Sequence, residues 1–229
     1  MSTKAQHNAA TVAEMETPTP VGGRRVAGED PVKREQILDG AKTIFMGTNF
    51  DAASMSDVAR EAGVSKGTLY VYFQNKEDLF AALIERERGR FVASIRNALT
   101  ERDGVEDALL HFGTTFCRHL TSGDVICSMR SVLGVIDRMP GLAHGFFSSP
   151  SNVRTVLQEY LDRQVAAGRL IIDDTDLAAR QFIELSSGTY FKLRLFGDMK
   201  EMPPLEEIQR VIKSAVHVFM SAYRGEPSK

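Results

Sequence analysis

Apolar residues recur at helical spacing along most of this sequence. Near the start of the regular pattern, one stripe is formed by Ile37, Ala41, Ile44 and Phe45, at intervals of three to four residues. Pro31 suits the first turn of the helix that carries this stripe. No alternation of apolar and polar residues is strong enough to predict a sheet. The pattern predicts an all-α protein of about nine helices, with no internal repeat.

Two short helices are expected between longer ones. Ser54 is a plausible N-cap, with Asp57 three residues on favouring the positive end of the helix. Gly63 is expected to end this helix with a positive φ, and Ser65 to start a second helix that runs to about Tyr72. Two short helices joined in this way predict a helix-turn-helix, whose second helix enters the major groove of DNA.

The remaining chain divides at residues that start or stop helices. Asn75 is expected to cap a long helix over residues 76–102, and Gly104 to end that segment. Further helices are predicted over 105–120, 125–138, 151–168, 175–196 and 205–223, with a stop at Met139-Pro140-Gly141 and a short piece over 142–147. Residues 1–30 are rich in Thr, Pro, Ala and Gly and are expected to be a disordered arm.

Composition is that of a globular protein of 229 residues, with 43% hydrophobic and 25% charged residues. Cys117 and Cys127 fit free thiols in a reducing compartment. Because no secretory signal or membrane-spanning run is seen, a cytoplasmic location without membrane contact is expected. The net charge of −2 counts mildly against DNA binding, although the placement of cations matters more than their sum.

The second short helix carries side chains suited to DNA. Lys66 supplies a cation, Gly67 permits close approach, and Thr68 offers a hydroxyl or a methyl group to a base. Hydroxyls for phosphates are available from Tyr70 and Tyr72, and the N-termini of neighbouring helices bring Ser54 and Lys76. The inward face is expected to comprise Val58, Ala62, Val64, Leu69 and Phe73.

The stretch 54–79 resembles the TetR family of bacterial regulators. The resemblance is carried by Val64-Ser65-Lys66-Gly67-Thr68-Leu69-Tyr70, Tyr72-Phe73, Lys76-Glu77 and Leu79, and the close match covers about Lys33 to Leu83. Ser54 stands where many relatives have threonine, and Val71 where an aromatic residue is frequent. The resemblance implies a homodimer with a three-helix DNA-binding head and a helical ligand-binding body. The expected division is an arm over 1–30, a head over 31–91 with its motif at 54–73, and a body over 92–229.

The resemblance also carries roles to individual positions. Lys66, Gly67 and Thr68 would lie at bases or nearby phosphates, and contacts to the DNA backbone would come from Ser54, Tyr70, Tyr72 and Lys76. Ser65 completes the predicted DNA-binding set. A dimer interface is expected on the last two helices, formed by Ser187, Gly188, Ile208, Val211, Ile212, Ala215 and Phe219. An ordinary buried core is the alternative interpretation of that broad apolar stripe.

A ligand cavity in the body would be mostly apolar with a few polar groups. The predicted lining is His111, Phe112, Phe116, Met129, Arg130, Phe147, Phe182 and Tyr190, with His119 and Glu184 as further polar candidates. A metal site formed by His111, Cys117 and His119 is rejected, because residues two apart on a helix face different directions. No cofactor is expected.

The sequence therefore predicts a repressor that binds a palindromic operator in double-stranded DNA and is released by a small, largely apolar effector. An enzyme is not expected, because catalytic motifs such as a nucleophile elbow or a phosphate-binding loop are missing. A DNA-binding dimer without effector and a transcriptional activator remain as alternatives.

Overall fold

A computed structural model describes residues 30–48, 50–100, 104–142 and 152–225. The helices of these segments are α1 (Pro31–Gly47), α2 (Met55–Glu61), α3 (Lys66–Tyr72), α4 (Lys76–Thr100), α5 (Val105–Thr121), α6 (Gly123–Val135), α7 (Val153–Ala166), α8 (Thr175–Phe196) and α9 (Leu205–Tyr223). The predicted all-α fold is confirmed, and within these segments the only β-type pairing is an isolated bridge between Leu170 and Arg224. The expected arm lies outside the described residues, apart from Asp30. Among the described helices, none has both the length and the hydropathy to cross a membrane.

Side-chain caps explain why the helices begin where they do. Ser54, Ser65 and Asp174 each accept a hydrogen bond from the backbone N–H three residues on, as an N-cap does. Asn75 does the same for Asp78 at 2.7 Å. The start predicted at Ser151 is wrong, because the cap of α7 is Asn152, whose side chain accepts from the backbone N–H of Thr155.

Two other boundaries differ from the predictions. The helix expected over 125–138 is α6, which runs over Gly123–Val135, and residues 136–138 form a turn. Pro140 was predicted to stop a helix, but a helical turn also begins at this residue. Proline is well suited to this first position because its missing N–H would have no partner there.

Glycines allow the helices of the head to pack closely. Gly63 has a φ of +63°, so it provides the left-handed residue after α2 that the sequence predicted. On α1, a Cβ added to Gly40 would lie 2.7 Å from both the Cβ and the backbone nitrogen of Ala62. The backbone of α1 can therefore approach the end of α2 only because residue 40 has no side chain.

Two hydrophobic cores share α4. The head core includes a triad of Phe45, Phe50 and Phe80, with ring centroids 5.0–5.9 Å apart. Along α4, Ile84 belongs to the head core and Val92 to the body core, so the two cores meet in the stretch that contains the expected boundary at residue 91. The sequence did not predict that the head core also includes Val132 and Val135 of α6 and Leu142. As a result, α6 packs directly on the head.

Candidate nucleic-acid interface and effector cavity

The turn between α2 and α3 fixes the direction of α3. Val58, Ala62, Leu69 and Phe73 are buried as predicted, with exposures of 1, 5, 0 and 2%, and Val64 is half-buried. Ser54 caps the start of α2: its Oγ accepts from the backbone N–H of Asp57 and donates to the Asp57 carboxylate at 2.5 Å. These contacts hold α3 with one face on the head core and the other toward solvent.

The outer face of α3 carries the side chains predicted to contact DNA. Lys66 and Gly67 are exposed, Tyr70 is 52% exposed, and Thr68 and Tyr72 are half-buried. The hydroxyls of Ser65 and Thr68 lie 2.8 Å apart, so each orients the other at the start of α3. A Cβ added to Gly67 would have its nearest heavy atom, Ser65 Oγ, at 3.7 Å, which is ordinary van der Waals contact. Gly67 is therefore not required by packing within the protein.

Lys76 has a structural role that the sequence did not suggest. Its ammonium donates to the carbonyl oxygens of Phe50, Asp51 and Ala53 at 2.8, 3.3 and 3.1 Å. It also lies 4.5 Å from the centroid of the Phe50 ring. All three donors of an ammonium are used in this way. Lys76 thus holds the loop between α1 and α2 against the start of α4, and it would have to leave these acceptors to reach a phosphate.

A cavity of about 710 Å³ lies between α4, α5, α6, α7 and α8 and extends to α1. We call it the interhelical cavity. Its apolar lining includes Leu83, Ile84, Phe91, Val92, Phe116, Leu120, Val125, Met129, Val153 and Ile183. Its polar lining includes Lys42, Glu87, Arg88, His119, Ser122, Asp124, Ser128, Asn152, Arg154, Arg180 and Glu184. The volume and the apolar majority of the surface are typical of small-molecule sites.

The structure brings only part of the predicted ligand set to this cavity. Phe116, Met129 and the further candidates His119 and Glu184 line it. Phe112 and Phe182 are instead fully buried in the body core, with ring centroids 5.9 Å apart. Their positions differ from the prediction because α5 presents one face to α8 and another to the cavity.

The other predicted lining residues also lie elsewhere. Arg130 donates to the carbonyl oxygens of Arg194 and Leu195 at the end of α8, and the hydroxyl of Tyr190 lies 3.4 Å from Glu207. His111 is not among the lining residues, and Phe147 lies outside the described residues. Arg154 and Arg180, which share the carboxylate of Asp176, were not predicted, because only the tertiary packing brings α7 and α8 together there.

His119 gives the cavity wall a neutral polar group. Its ring stacks on Phe91 with centroids 3.5 Å apart and an interplanar angle of 7°. Burial lowers the pKa of His119 from 6.5 to about 4, so the imidazole is uncharged at neutral pH. Burial likewise raises the pKa of Cys117 to about 11, which keeps that thiol protonated and unreactive. In the described part of the chain, no group of three His, Cys, Asp or Glu residues is arranged to hold a metal ion.

An ion pair between α1 and α4 forms part of the cavity wall on the side of the head. Lys42 Nζ lies 2.6 Å from Glu87 Oε2, and Arg86 Nη2 lies 2.9 Å from Glu87 Oε1. Burial alone would raise the pKa of Glu87, but the hydrogen bond and charge of Lys42, with those of Arg86, outweigh burial and lower it. Glu87 is therefore a carboxylate at neutral pH.

The predicted dimer interface is largely core within one subunit. Ile208, Ile212, Ala215 and Phe219 are at most 4% exposed, and a Cβ added to Gly113 of α5 would lie 2.7 Å from Ile212 Cγ2. These four side chains therefore pack mainly within their own subunit, although Phe219 also lines a groove between α8 and α9, and their part in a dimer interface stays a prediction. Ser187 is buried too, with its hydroxyl donating to the Ile183 carbonyl oxygen, and Val211 and Gly188 are half-buried.

A different face of the same two helices is open. Leu185 on α8 and Val218 on α9 are 43% and 52% exposed. They border a shallow groove whose lining includes Gly188, Thr189, Phe219 and Ala222 and also the charged or polar residues Arg180, Gln181, Glu184 and Lys192. We call this the α8–α9 face. Its small and apolar residues permit close approach of another helix pair.

Comparison with known proteins assigns the family. Residues 107–225, slightly more than half of the chain, match the family model described as AefR-like transcriptional repressor, C-terminal domain. Residues 37–83 match the model for bacterial regulatory proteins of the tetR family. The chain belongs to the TetR family. The helix-turn-helix of this TetR-family chain is therefore the DNA-binding element of a transcriptional regulator.

Curated relatives of this TetR-family chain match over part of their length. The fatty acid metabolism regulator protein of Bacillus subtilis is 31% identical over 77 residues, which is 34% of this chain and 40% of the relative. The transcriptional activator FasR of Mycolicibacterium smegmatis is 37% identical over 82 residues, or 35% of this chain and 37% of FasR. The transcriptional repressor ComR of Escherichia coli is 30% identical over 141 residues, or 60% of this chain and 67% of ComR. The chain thus covers less than half the length of the first two relatives.

Solved structures share the fold of this TetR-family chain over most of its length. A structure described as a TetR-family transcriptional regulator from Mesorhizobium loti has a TM-score of 0.79 at 21% identity, covering 84% of this chain and 97% of that one. The flavonoid-responsive regulator FrrA has a TM-score of 0.67 at 29% identity, covering 86% and 100%. The regulator FadR from Bacillus subtilis in complex with stearoyl-CoA has a TM-score of 0.59 at 20% identity, covering 82% and 97%.

Proposed function

We propose that this chain is a dimeric transcriptional repressor that binds a palindromic operator and is released by a small, largely apolar effector. The observation that carries the proposal is the outer face of α3. It presents a cation, a hydroxyl and a glycine that packing does not require, on a helix whose inner face is fixed by Leu69 and by Phe73, the residue that follows it. A helix of this kind is the part of a helix-turn-helix that lies in the major groove.

The proposed contacts divide by what they recognise. Lys66, Gly67 and Thr68 would read base edges, because they lie at the N-terminal end of α3, which is the end nearest the bases in this motif. Contacts to the DNA backbone would come from Ser54, Ser65, Tyr70 and Tyr72. Lys76 is a weaker candidate than the sequence suggested, because it already binds three carbonyl oxygens within the head.

Dimerisation through the α8–α9 face would place two heads on successive half-sites, about 34–36 Å apart. The exposed Leu185 and Val218 support this arrangement, because large exposed apolar side chains on adjacent helices favour burial against a partner. In a two-fold dimer the same face of each subunit would meet its copy, forming a four-helix contact. Val211, which is half-buried, would lie at its border.

The interhelical cavity is the proposed effector site. Its apolar lining, together with the flavonoid-responsive FrrA and the stearoyl-CoA complex of FadR among the structural neighbours, supports a largely apolar ligand. An effector acts by binding one of two conformations more tightly. A coupling free energy of about 1–3 kcal/mol would weaken operator binding by roughly 5–150-fold.

Repression is favoured over activation by the C-terminal match to an AefR-like transcriptional repressor, whereas the relative FasR is named as an activator. The position of the operator relative to the promoter distinguishes the two. We propose a regulator without catalytic activity that acts in the cytoplasm, where its DNA is.

Capture of genomic fragments by the purified full chain tests the proposal. Fragments that share a palindrome, bound by two subunits, are expected. Repeating the capture with Tyr70→Phe, which removes one hydroxyl from the outer face of α3, should weaken enrichment of the same palindrome. A folded wild-type protein that enriches no common sequence at low salt would contradict the proposal. Thermal stabilisation by a ligand distinguishes an effector-responsive regulator from a dimer without effector.

A further inference from the structure

Two residues of α1, the first helix of the DNA-binding head, line the interhelical cavity. Lys42 and Met46 of α1 are part of its wall. The opposite face of the same helix carries Ile37, Ala41 and Phe45, which are fully buried in the head core. A ligand in the cavity would therefore contact the head directly, in addition to the body helices.

Lys42 has hydrogen-bonding capacity left for a ligand. Among the described residues, its ammonium has one hydrogen-bond acceptor, Glu87 Oε2 at 2.6 Å. An ammonium has three donors, so two remain. The side chain is 37% exposed, which leaves its charged end accessible from the cavity. The lysine side chain is also long and flexible enough to reach a second partner.

Glu87 would stay paired if Lys42 turned to a ligand. Glu87 Oε1 also interacts with Arg86 at 2.9 Å and with Arg90 at 3.5 Å. Removing one partner from a partly buried charge is costly when no other partner remains. Two arginines do remain here, so an anion could take the Lys42 ammonium without leaving an unpaired carboxylate.

The surroundings of Lys42 favour a ligand with one polar end. The wall also contains the stacked rings of Phe91 and His119, with Phe116 6.2 Å from Phe91 between ring centroids, and Met129. His119 brings no positive charge, because burial keeps its imidazole neutral at ordinary pH. Three arginines also line the cavity, but Arg88 is paired with Glu85, and Arg154 and Arg180 are paired with Asp176. The apolar part of a ligand would thus contact the rings of this wall, and its charged group would meet Lys42.

We propose that Lys42 of the DNA-binding head is the specificity-determining residue of the cavity, and that it binds the carboxylate of an amphipathic, otherwise apolar effector. This rests on the proposed function of the cavity as an effector site. Movement of Lys42 toward a ligand acts on α1, which contacts α2 through the close approach of Gly40 to Ala62. Because α2 supports α3, the effector has a path to the recognition helix that does not pass through α4.

Dodecanoate and dodecanol are matched probes, since they share an apolar chain and differ in the carboxylate. Binding to the purified full chain is measured by titration calorimetry, in wild type, Lys42→Met and Lys33→Met. Lys33 is the matched control because it lies on the same helix, bonds Gln36 and does not line the cavity. Circular dichroism of each variant checks that the helical fold is retained.

Lys42→Met is expected to weaken dodecanoate binding at least tenfold and to leave dodecanol binding unchanged, whereas Lys33→Met alters neither. The proposal is overturned if the wild-type protein binds dodecanol as tightly as dodecanoate, or if it binds no dodecanoate. It is also overturned if Lys42→Met binds dodecanoate with wild-type affinity. Operator binding is measured separately, so a chain that binds dodecanoate through Lys42 but binds no operator would contradict the proposed function and leave the ligand assignment standing.

Discussion

Replacing Gly67 by alanine separates the stability of the head from its proposed contact with DNA. The added methyl group has room within the protein, because its nearest neighbour would be Ser65 Oγ at 3.7 Å. Alanine in a helix is more favourable than glycine by about 0.5–1 kcal/mol, with the smaller end expected in the first turn. Gly67→Ala is therefore expected to unfold at the same temperature as wild type or about 2–4 °C above it.

Operator binding should change in the opposite direction. If the N-terminal end of α3 lies against the bases, an extra methyl group there creates a close contact, and overpacking costs about 1–3 kcal/mol. A loss of 1.4 kcal/mol weakens binding about tenfold. Fluorescence anisotropy with a labelled operator measures the affinity, and differential scanning calorimetry measures the unfolding temperature.

Gly89→Ala is the matched control. Gly89 is exposed on α4, and a Cβ added there meets no atom within 4 Å. This variant should be stabilised like any exposed helical glycine replaced by alanine, by about 1 kcal/mol, and should bind the operator like wild type. Equal operator affinities of Gly67→Ala, Gly89→Ala and wild type would refute the close approach of α3 to DNA.

Three further variants test separate parts of the account. Lys76→Met should lower the free energy of unfolding by about 1–3 kcal/mol in urea denaturation, because three carbonyl oxygens lose their donor; unchanged stability would mean that these bonds do not matter. Val218→Arg should be a monomer in light scattering and should bind the operator weakly in anisotropy. Leu133→Arg, at a similarly exposed site on α6, should remain dimeric. A dimeric Val218→Arg would exclude the α8–α9 face as the dimer interface. The pKa of His119 is 6.5 in the unfolded state and about 4 in the folded state, so the unfolded state gains the proton first as the pH falls. The free energy of unfolding should therefore drop by about 1–3 kcal/mol between pH 6.5 and pH 4, a range that allows for the partial solvent contact of His119. His119→Gln should therefore lose less stability than wild type between pH 7 and pH 4, and parallel pH profiles would contradict this.

The helix boundaries of this protein follow from local chemistry, which explains why most of them were predictable. An N-cap needs only one side chain and the backbone three residues on, so Ser54, Ser65 and Asp174 identify their helices directly. The positive φ at Gly63 is equally local. The exposed residues of α3 were predictable for the same reason, because the side chains that share one face of a short helix follow from its periodicity.

Some roles of individual residues depend on tertiary packing and could not be predicted from the sequence. Ile212 belongs to a stripe that fits either a core or a dimer interface, and only its approach to Gly113 assigns it to the core. Phe112 and Phe116 are both apolar residues of α5, yet only Phe116 lines the cavity. The role of Lys42 could not be predicted either, because it depends on how α1 packs against α4 and the body.

The most direct test of the central claim is the operator affinity of Lys66→Ala against that of Lys200→Ala, measured over a range of salt concentrations. Lys200 is an exposed lysine of the loop after α8 and keeps the change in net charge the same. If α3 binds DNA as proposed, Lys66→Ala weakens operator binding and, where the contact is to a phosphate, lowers the salt slope by about one unit, while Lys200→Ala matches wild type. Equal affinities and equal slopes for both variants would contradict the account of this chain as a regulator that reads DNA with α3.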